Sequence, residues 1–188
     1  MIGFLFTFLP FVYLFAVYGT SLSTDFEEIS GTFYIMFAVY YFTYRMLDEI
    51  DGKQARRTGN SSPLGMLFDH GCDAFSTGFI LTTTAKCLNF GDNIYTLMFI
   101  AMSCATFHFS TLEEYYVGGL FLGPGNAITD FSVVVYALYI SLGIFGNEFC
   151  NVVVFEEGDM FKGSRTWYVR DCIMFGCFAI QTCTILAW

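Results

Sequence analysis

Six runs of about 20 mostly apolar residues constrain this chain more than any other feature. They fall at 2–20, 31–49, 64–88, 93–112, 127–147 and 167–188, with short polar connections between them. A helix of that length satisfies its own backbone hydrogen bonds, which the bilayer core demands of any open segment. The pattern predicts an all-α membrane protein of about six transmembrane helices, forming a single domain over residues 1–188. Only 13% of residues are charged, against about 25% in ordinary soluble domains. The first basic residue is Arg45, so the first run lacks the basic start of a cleavable signal and reads as a retained span. A formal net charge of −9 excludes a nucleic-acid partner, which calls for a basic patch. The seven cysteines form no CxxC pair and read mostly as small hydrophobes in apolar runs.

The connections add direction. Residues 57–63 (RTGNSSP) read as a turn, with Ser62 as an N-cap and Pro63 at the first helical position. The Gly/Pro-rich stretch 118–126 predicts a loop or re-entrant bend, and 148–166 is the longest polar connection. Arg45, Lys53, Arg56 and Arg57 cluster between the second and third runs, against Lys162, Arg165 and Arg170 around the last connection. The larger cluster predicts a cytosolic face there, with the acidic 21–30 loop opposite. Glu113, Glu114 and Asp130 then fall on the same face as the second connection, two spans away.

Four aspartates interrupt this apolar chain within 26 residues: D48-E-I-D51-G52-K-Q-A55-R56, then G65-M-L-F-D69-H-G-C-D73. A carboxylate inside a membrane helix is costly, so such a cluster points to function. No proline interrupts 31–57, so the second helix can continue past the membrane surface with Asp48, Asp51 and Ala55 on one stripe. Gly65, Asp69 and Asp73 form a stripe of period four on the third. Crossing these helices gathers like charges that need cations between them. Mg²⁺ or Mn²⁺ suits an all-oxygen site completed by substrate phosphate, and two such ions suit a pyrophosphate. Gly52, Ala55 and Gly65 permit close helix approach and leave room for a nucleotide, while Arg56 offers a fork for phosphate. A DxxD pair alone is commonplace at a helix end; the full pattern is not.

The string D-x2-D-G-x2-A-R-x8-G-x3-D-x3-D resembles the signature of the CDP-alcohol phosphotransferases at every specified position. The longer string DGKQARRTGNSSPLGMLFDHGCD is similar to the choline/ethanolamine phosphotransferase branch. The resemblance implies transfer of phosphocholine or phosphoethanolamine from CDP-choline or CDP-ethanolamine to diacylglycerol, with release of CMP. It implies that Asp48, Asp51, Asp69 and Asp73 ligate two divalent ions, and that Gly52, Ala55, Arg56 and Gly65 shape the CDP site. In the broader family Asp73 is the candidate base; in the branch His70 takes that role, paired with an acidic residue at position 130, here Asp130. A multi-pass protein of the endoplasmic reticulum or Golgi membrane, active site facing the cytosol and homodimeric, is the corresponding expectation.

The residues leave several points open. Histidine titrates near neutrality and suits a general base, yet a histidine on an apolar helix is commonly structural, and His108 is read that way. Glu113 and Glu114 can face an amino-alcohol, with Tyr115 or Tyr116 presenting a ring to the cation; an interfacial Glu/Tyr belt explains them equally. The tract TLEEYYVGGLFLGPGNAITD departs from the branch: Leu112 replaces Trp, Val117 replaces Thr, and Ala127, Ile128 and Asp130 stand where Gly, Pro and Glu are usual. The chain is also shorter than the branch, reading as truncated at both ends. Alternatives are another CDP-alcohol chemistry, a regulatory or dimerising paralogue without activity, and, more distantly, an ion channel or transporter.

Overall fold

The computed structural model describes residues 2–23, 29–60, 62–117, 129–156 and 166–186. Six α-helices occur among them: α1 (Ile2–Val17), α2 (Gly31–Thr58), α3 (Pro63–Cys87), α4 (Ile94–Val117), α5 (Thr129–Phe145) and α6 (Val169–Leu186). Each coincides with one apolar run. The expected loop at 118–126 lies outside the described residues, as do residues 24–28 of the acidic 21–30 segment and Lys162 and Arg165.

Helix α2 runs on to Thr58, beyond the apolar stretch, as the absence of proline allows. It stops at Gly59, which adopts a left-handed φ of 68° and gives its N–H to the carbonyls of Ala55 and Arg56. Three residues later Ser62 starts α3 as its N-cap, its hydroxyl accepting the Gly65 N–H at 3.1 Å, with Pro63 in the first turn. This corner folds the two halves of the acidic string toward each other.

Only α4 is by itself both long and apolar enough to cross a membrane, among the described residues. The reason is visible in the others. Helices α1 and α5 are apolar but short, and α2 carries seven charged residues from Arg45 to Arg57. Helix α3 holds Asp69, Asp73 and Lys86 together with four threonines. Large apolar side chains nevertheless face outward on all six helices, among them Leu9, Val39, Leu67, Leu97, Ile144 and Ile180. Water would penalise so much apolar surface. The interior is comparatively polar: Ser103, Thr106 and Ser110 are buried and return their hydroxyls to carbonyls one turn back, an arrangement suited to helices packed in lipid.

Helix α1 packs against both α2 and α3, α2 against α5, α3 against α4, and α4 against α6. The buried side chains Leu14, Tyr34, Phe37 and Tyr139 mark the centre. Thr7 of α1 donates to the Phe4 carbonyl at 2.9 Å, so the shared hydrogen in its 3.1 Å contact with Ser76 of α3 comes from Ser76. The α2–α5 crossing depends on glycine. A Cβ at Gly31 would sit 2.9 Å from the Gly143 carbonyl oxygen, and one at Gly143 would sit 2.5 Å from Ile35 Cγ1. We expect Gly143→Val to destabilise the bundle by about 1–3 kcal/mol, read as a lower thermal midpoint in detergent. Gly176→Ala, where a Cβ meets nothing within 4 Å, should not lower that midpoint, since alanine favours the helix over glycine.

At the end of α3 remote from the acidic string, Lys86 is 0% exposed. Its ammonium donates to the carbonyls of Tyr18, Gly19 and Ser21 at 2.9, 2.6 and 2.6 Å and lies 4.9 Å from the Phe15 ring centre. These carbonyls follow α1, where unpaired acceptors and the negative helix end favour a cation. Asp92 secures the same loop, accepting from Ser21 Oγ at 2.6 Å and the Leu22 N–H at 3.0 Å. Those bonds hold its carboxyl below the usual range.

The long connection before α6 differs from expectation. It contains a 3-10 turn at Glu148–Asn151 and an antiparallel pair, β1 (Val153–Glu156) with β2 (Thr166–Tyr168). The valine run 152–154 supplies the β-branched residues such a strand favours.

Candidate active site

Asp48 and Asp51 stand on α2 one turn apart, and Asp69 stands on α3. One carboxylate oxygen from each lies within 4.8 Å of the other two. Asp48 and Asp69 are half-buried and Asp51 is exposed. Three like charges so close repel unless a positive group stands among them. Arg45 partly answers this, its Nη1 donating to Asp48 Oδ2 at 3.1 Å with both side chains mostly covered.

Asp73 adjoins the trio, its carboxylate interacting with those of both Asp48 and Asp69. Its Oδ1 accepts the Tyr44 hydroxyl at 2.7 Å, and Tyr44 is only 6% exposed. Adjacent residues of α2 therefore each hold one carboxylate, Arg45 that of Asp48 and Tyr44 that of Asp73. Sequence reasoning missed both in this role. The i,i+3 spacing of Arg45 and Asp48 was available as a signal; the Tyr44 contact joins different helices and has no local signature.

The small residues act differently from expectation. A Cβ at Gly52 would meet only Arg56 Nη1 and Nη2, at 3.8 and 4.0 Å. The Arg56 guanidinium therefore lies over Gly52, one turn from Asp48 and beside Asp51. A Cβ at Gly65 would meet only Ser62 Oγ, at 3.1 Å, so this glycine clears the α3 cap. Neither position shows close approach of another helix among the described residues; both leave open space. Ala55 is half-buried and Arg56 exposed, and Lys53 pairs with Glu49 at 3.2 Å.

His70 points the site a second way. It lines a cavity of about 300 Å³ between α3 and α4, with Leu67, Gly71, Ala74 and Thr77 from α3 and Cys104, Phe107, His108 and Thr111 from α4. His108, expected to be structural, faces the same cavity. Glu113 has one buried carboxylate oxygen with no hydrogen-bond partner among the described residues. Tyr115 and Tyr116 are each 77% exposed and meet edge to face at 5.2 Å. Asp130 belongs to the first turn of α5, but its side chain and that of Glu114 lie outside the described residues, as do Ala127 and Ile128.

The sequence model of CDP-alcohol phosphatidyltransferase matches residues 1–155. This chain belongs to that family. A family protein of Dictyostelium discoideum, CDP-alcohol phosphatidyltransferase class-I family protein 3, is 40% identical over 117 residues, 62% of this chain and 29% of that protein. Cholinephosphotransferase 1 of Gallus gallus is 35% identical over 136 residues, 72% and 39% of the two chains. Choline/ethanolaminephosphotransferase 1 of Arabidopsis thaliana is 39% identical over 110 residues, 57% and 27%. The chain thus spans less than two fifths of the length of these relatives.

CDP-alcohol phosphatidyltransferases are membrane transferases that use a divalent metal. The trio fits one: three carboxylate oxygens drawn together, two of them half-buried, are the hard donors that Mg²⁺ or Mn²⁺ takes. Tyr44 then has a testable consequence. Removing a hydrogen bond that orients a ligand commonly costs about 10–100-fold in metal affinity. We expect Tyr44→Phe to weaken Mn²⁺ binding by about tenfold, measured by titration followed with electron paramagnetic resonance. An unchanged affinity would mean that Asp73 does not share the metal.

Proposed function

We propose that this chain transfers phosphocholine or phosphoethanolamine from its CDP-alcohol to the hydroxyl of diacylglycerol, releasing CMP and forming phosphatidylcholine or phosphatidylethanolamine. The observation that supports it most is the convergence of Asp48, Asp51 and Asp69 within a family whose chemistry starts from CDP-alcohols. The names of the Gallus gallus and Arabidopsis thaliana relatives support the head group. An intact trio is also more than a purely regulatory paralogue needs.

Each residue has a role in this reading. Asp48, Asp51 and Asp69 hold one Mg²⁺ or Mn²⁺, and Asp73, steadied by Tyr44, contributes to a second. When bound, these ions offset the charge of the pyrophosphate and of departing CMP. Arg56, its guanidinium over Gly52, grips a phosphate oxygen as a planar fork. Gly52, Ala55 and Gly65 leave the nucleotide its room. The diacylglycerol oxygen attacks the phosphorus that bears the alcohol; its O–H bond breaks and the proton passes to His70. The new O–P bond forms as the anhydride bond breaks, and CMP leaves with the electron pair. Asp130 orients His70, and Glu114 faces the amino-alcohol.

The surroundings follow from the same reading. Residues 1–188 act as one multi-pass domain of an endoplasmic reticulum or Golgi membrane, as a homodimer. The trio faces the cytosol beside Arg45, Lys53, Arg56 and Arg57. The head group is tested by competition, with CDP-choline and CDP-ethanolamine in equal amounts over one acceptor. Choline or ethanolamine phospholipid should dominate the product; transfer from neither, with transfer from a different CDP-alcohol, would reassign the donor while keeping the family.

A further inference from the structure

We infer that the root of the β1–β2 hairpin, Val152–Val154 with Trp167 and Tyr168, is seated in the bilayer surface, at the boundary between head groups and acyl chains. The partner is the lipid itself, at the end of the bundle opposite the carboxylate trio. That seat follows from the membrane setting of the family and does not depend on which head group is transferred. Helix α5 ends at Phe145 and α6 begins at Val169. The Val169 N–H donates to the Val152 carbonyl at 3.0 Å, so the valine run stands level with the first turn of α6. Asn151 beside it accepts from Asn89, just past the end of α3, at 3.4 Å, and also from Arg170. The root of the hairpin is therefore pinned to the ends of α3 and α6.

The surface chooses the partner. Val152, Val153 and Val154 are 54, 45 and 50% exposed. Successive strand residues point to opposite faces, so both faces of β1 present an uncovered valine. Ile144 and Phe145 at the end of α5, and Ile94 and Leu97 at the start of α4, continue the same apolar exposure around this end of the bundle. A two-stranded sheet is marginal in water by itself, and lipid is the apolar phase that adjoins this one. Trp167 and Tyr168 are half-buried, Trp167 against Phe175 at 5.5 Å and Tyr168 with the Arg170 guanidinium 4.6 Å from its ring. Tryptophan, tyrosine and arginine at a helix entry settle at the membrane–water boundary. A second copy of the chain fits less well. The strands are four and three residues long and their register shifts between Val153 and Phe155, and short, bulged strands resist edge-to-edge pairing. Charge gives acidic lipid no advantage, because residues 148–171 hold five acidic and three basic side chains. Apolar contact is what holds the hairpin, so zwitterionic lipid suffices.

Trp167 supplies the probe, since Trp188 is the other tryptophan of the chain. The full chain carrying Trp188→Phe is placed in phosphatidylcholine nanodiscs, one chain to a disc. Its emission is then quenched by brominated phosphatidylcholines or by aqueous acrylamide. A second chain carries Val153→Trp with Trp167→Phe and Trp188→Phe, so that its indole reports β1 itself. In both chains, bromines near the head-group end of the acyl chain should quench about twofold more than bromines near the chain end, and acrylamide should quench weakly. Val154→Asp in the first chain should cut the bromolipid quenching about twofold and admit acrylamide. Strong acrylamide quenching of both indoles, or bromolipid quenching indifferent to Val154→Asp, would overturn the assignment. Quenching of Trp167 by bromolipid with position 153 open to acrylamide would leave only the entry of α6 at the boundary, which also overturns it. An indole at position 153 shielded from acrylamide only in discs that hold two chains would make this face a contact between copies instead.

Discussion

Asp69→Asn should lower transfer activity by roughly a thousandfold, the scale on which loss of one preorganised charge-stabilising group is felt in a reaction that builds negative charge. Asparagine keeps the size and one oxygen of aspartate but removes the charge that completes the trio with Asp48 and Asp51. The same change should leave the metal-free protein at least as stable as the parent, because it relieves repulsion among carboxylates whose oxygens lie within 4.8 Å. Activity and stability thus move independently. The thermal midpoint without metal is the readout that separates a lost ligand from a broken fold, and Mg²⁺ should raise that midpoint in the parent and not in the variant. A variant that loses activity and metal-free stability together would return Asp69 to a structural role.

Lys86→Met should be the most destabilising single change, by about 3–5 kcal/mol, although it lies at the other end of α3 from the trio. Methionine fills similar volume but strands the carbonyls of Tyr18, Gly19 and Ser21, which now share one ammonium. A hydrogen bond to a charged group contributes about 1.5–3 kcal/mol, and three such bonds are lost together. Arginine should not rescue the variant, because a planar fork cannot meet three carbonyls arranged around a point charge. The thermal midpoint in detergent reads both changes. A Lys86→Met protein as stable as the parent would mean that water already serves those carbonyls.

The sequence made the helices legible because their signals are local. Apolar runs placed all six, the lack of proline allowed α2 to reach Thr58, and Ser62-Pro63 marked the start of α3. The acidic string was legible for a similar reason, since charge in an apolar chain stands out. What stayed hidden depends on neighbours distant in sequence. Tyr44 reaches Asp73 across 29 positions, and Lys86 reaches Tyr18 across 68. His70 and His108 become neighbours of one cavity only when α4 packs on α3. Glycines misled in one respect: Gly52 and Gly65 were expected to let helices approach, whereas the close crossing belongs to Gly31 and Gly143. Their type was readable and their partner was not. The β1–β2 pair escaped because a polar connection was read by its composition and not by its valine run.

The most direct measurement is transfer by the purified chain in nanodiscs, with CDP-choline or CDP-ethanolamine, diacylglycerol and Mg²⁺, following CMP and phospholipid together. CMP and phospholipid should appear in equal amounts and both should stop on addition of EDTA. CMP release that continues in EDTA, or that yields no phospholipid, would contradict metal-dependent transfer to a lipid at Asp48, Asp51 and Asp69.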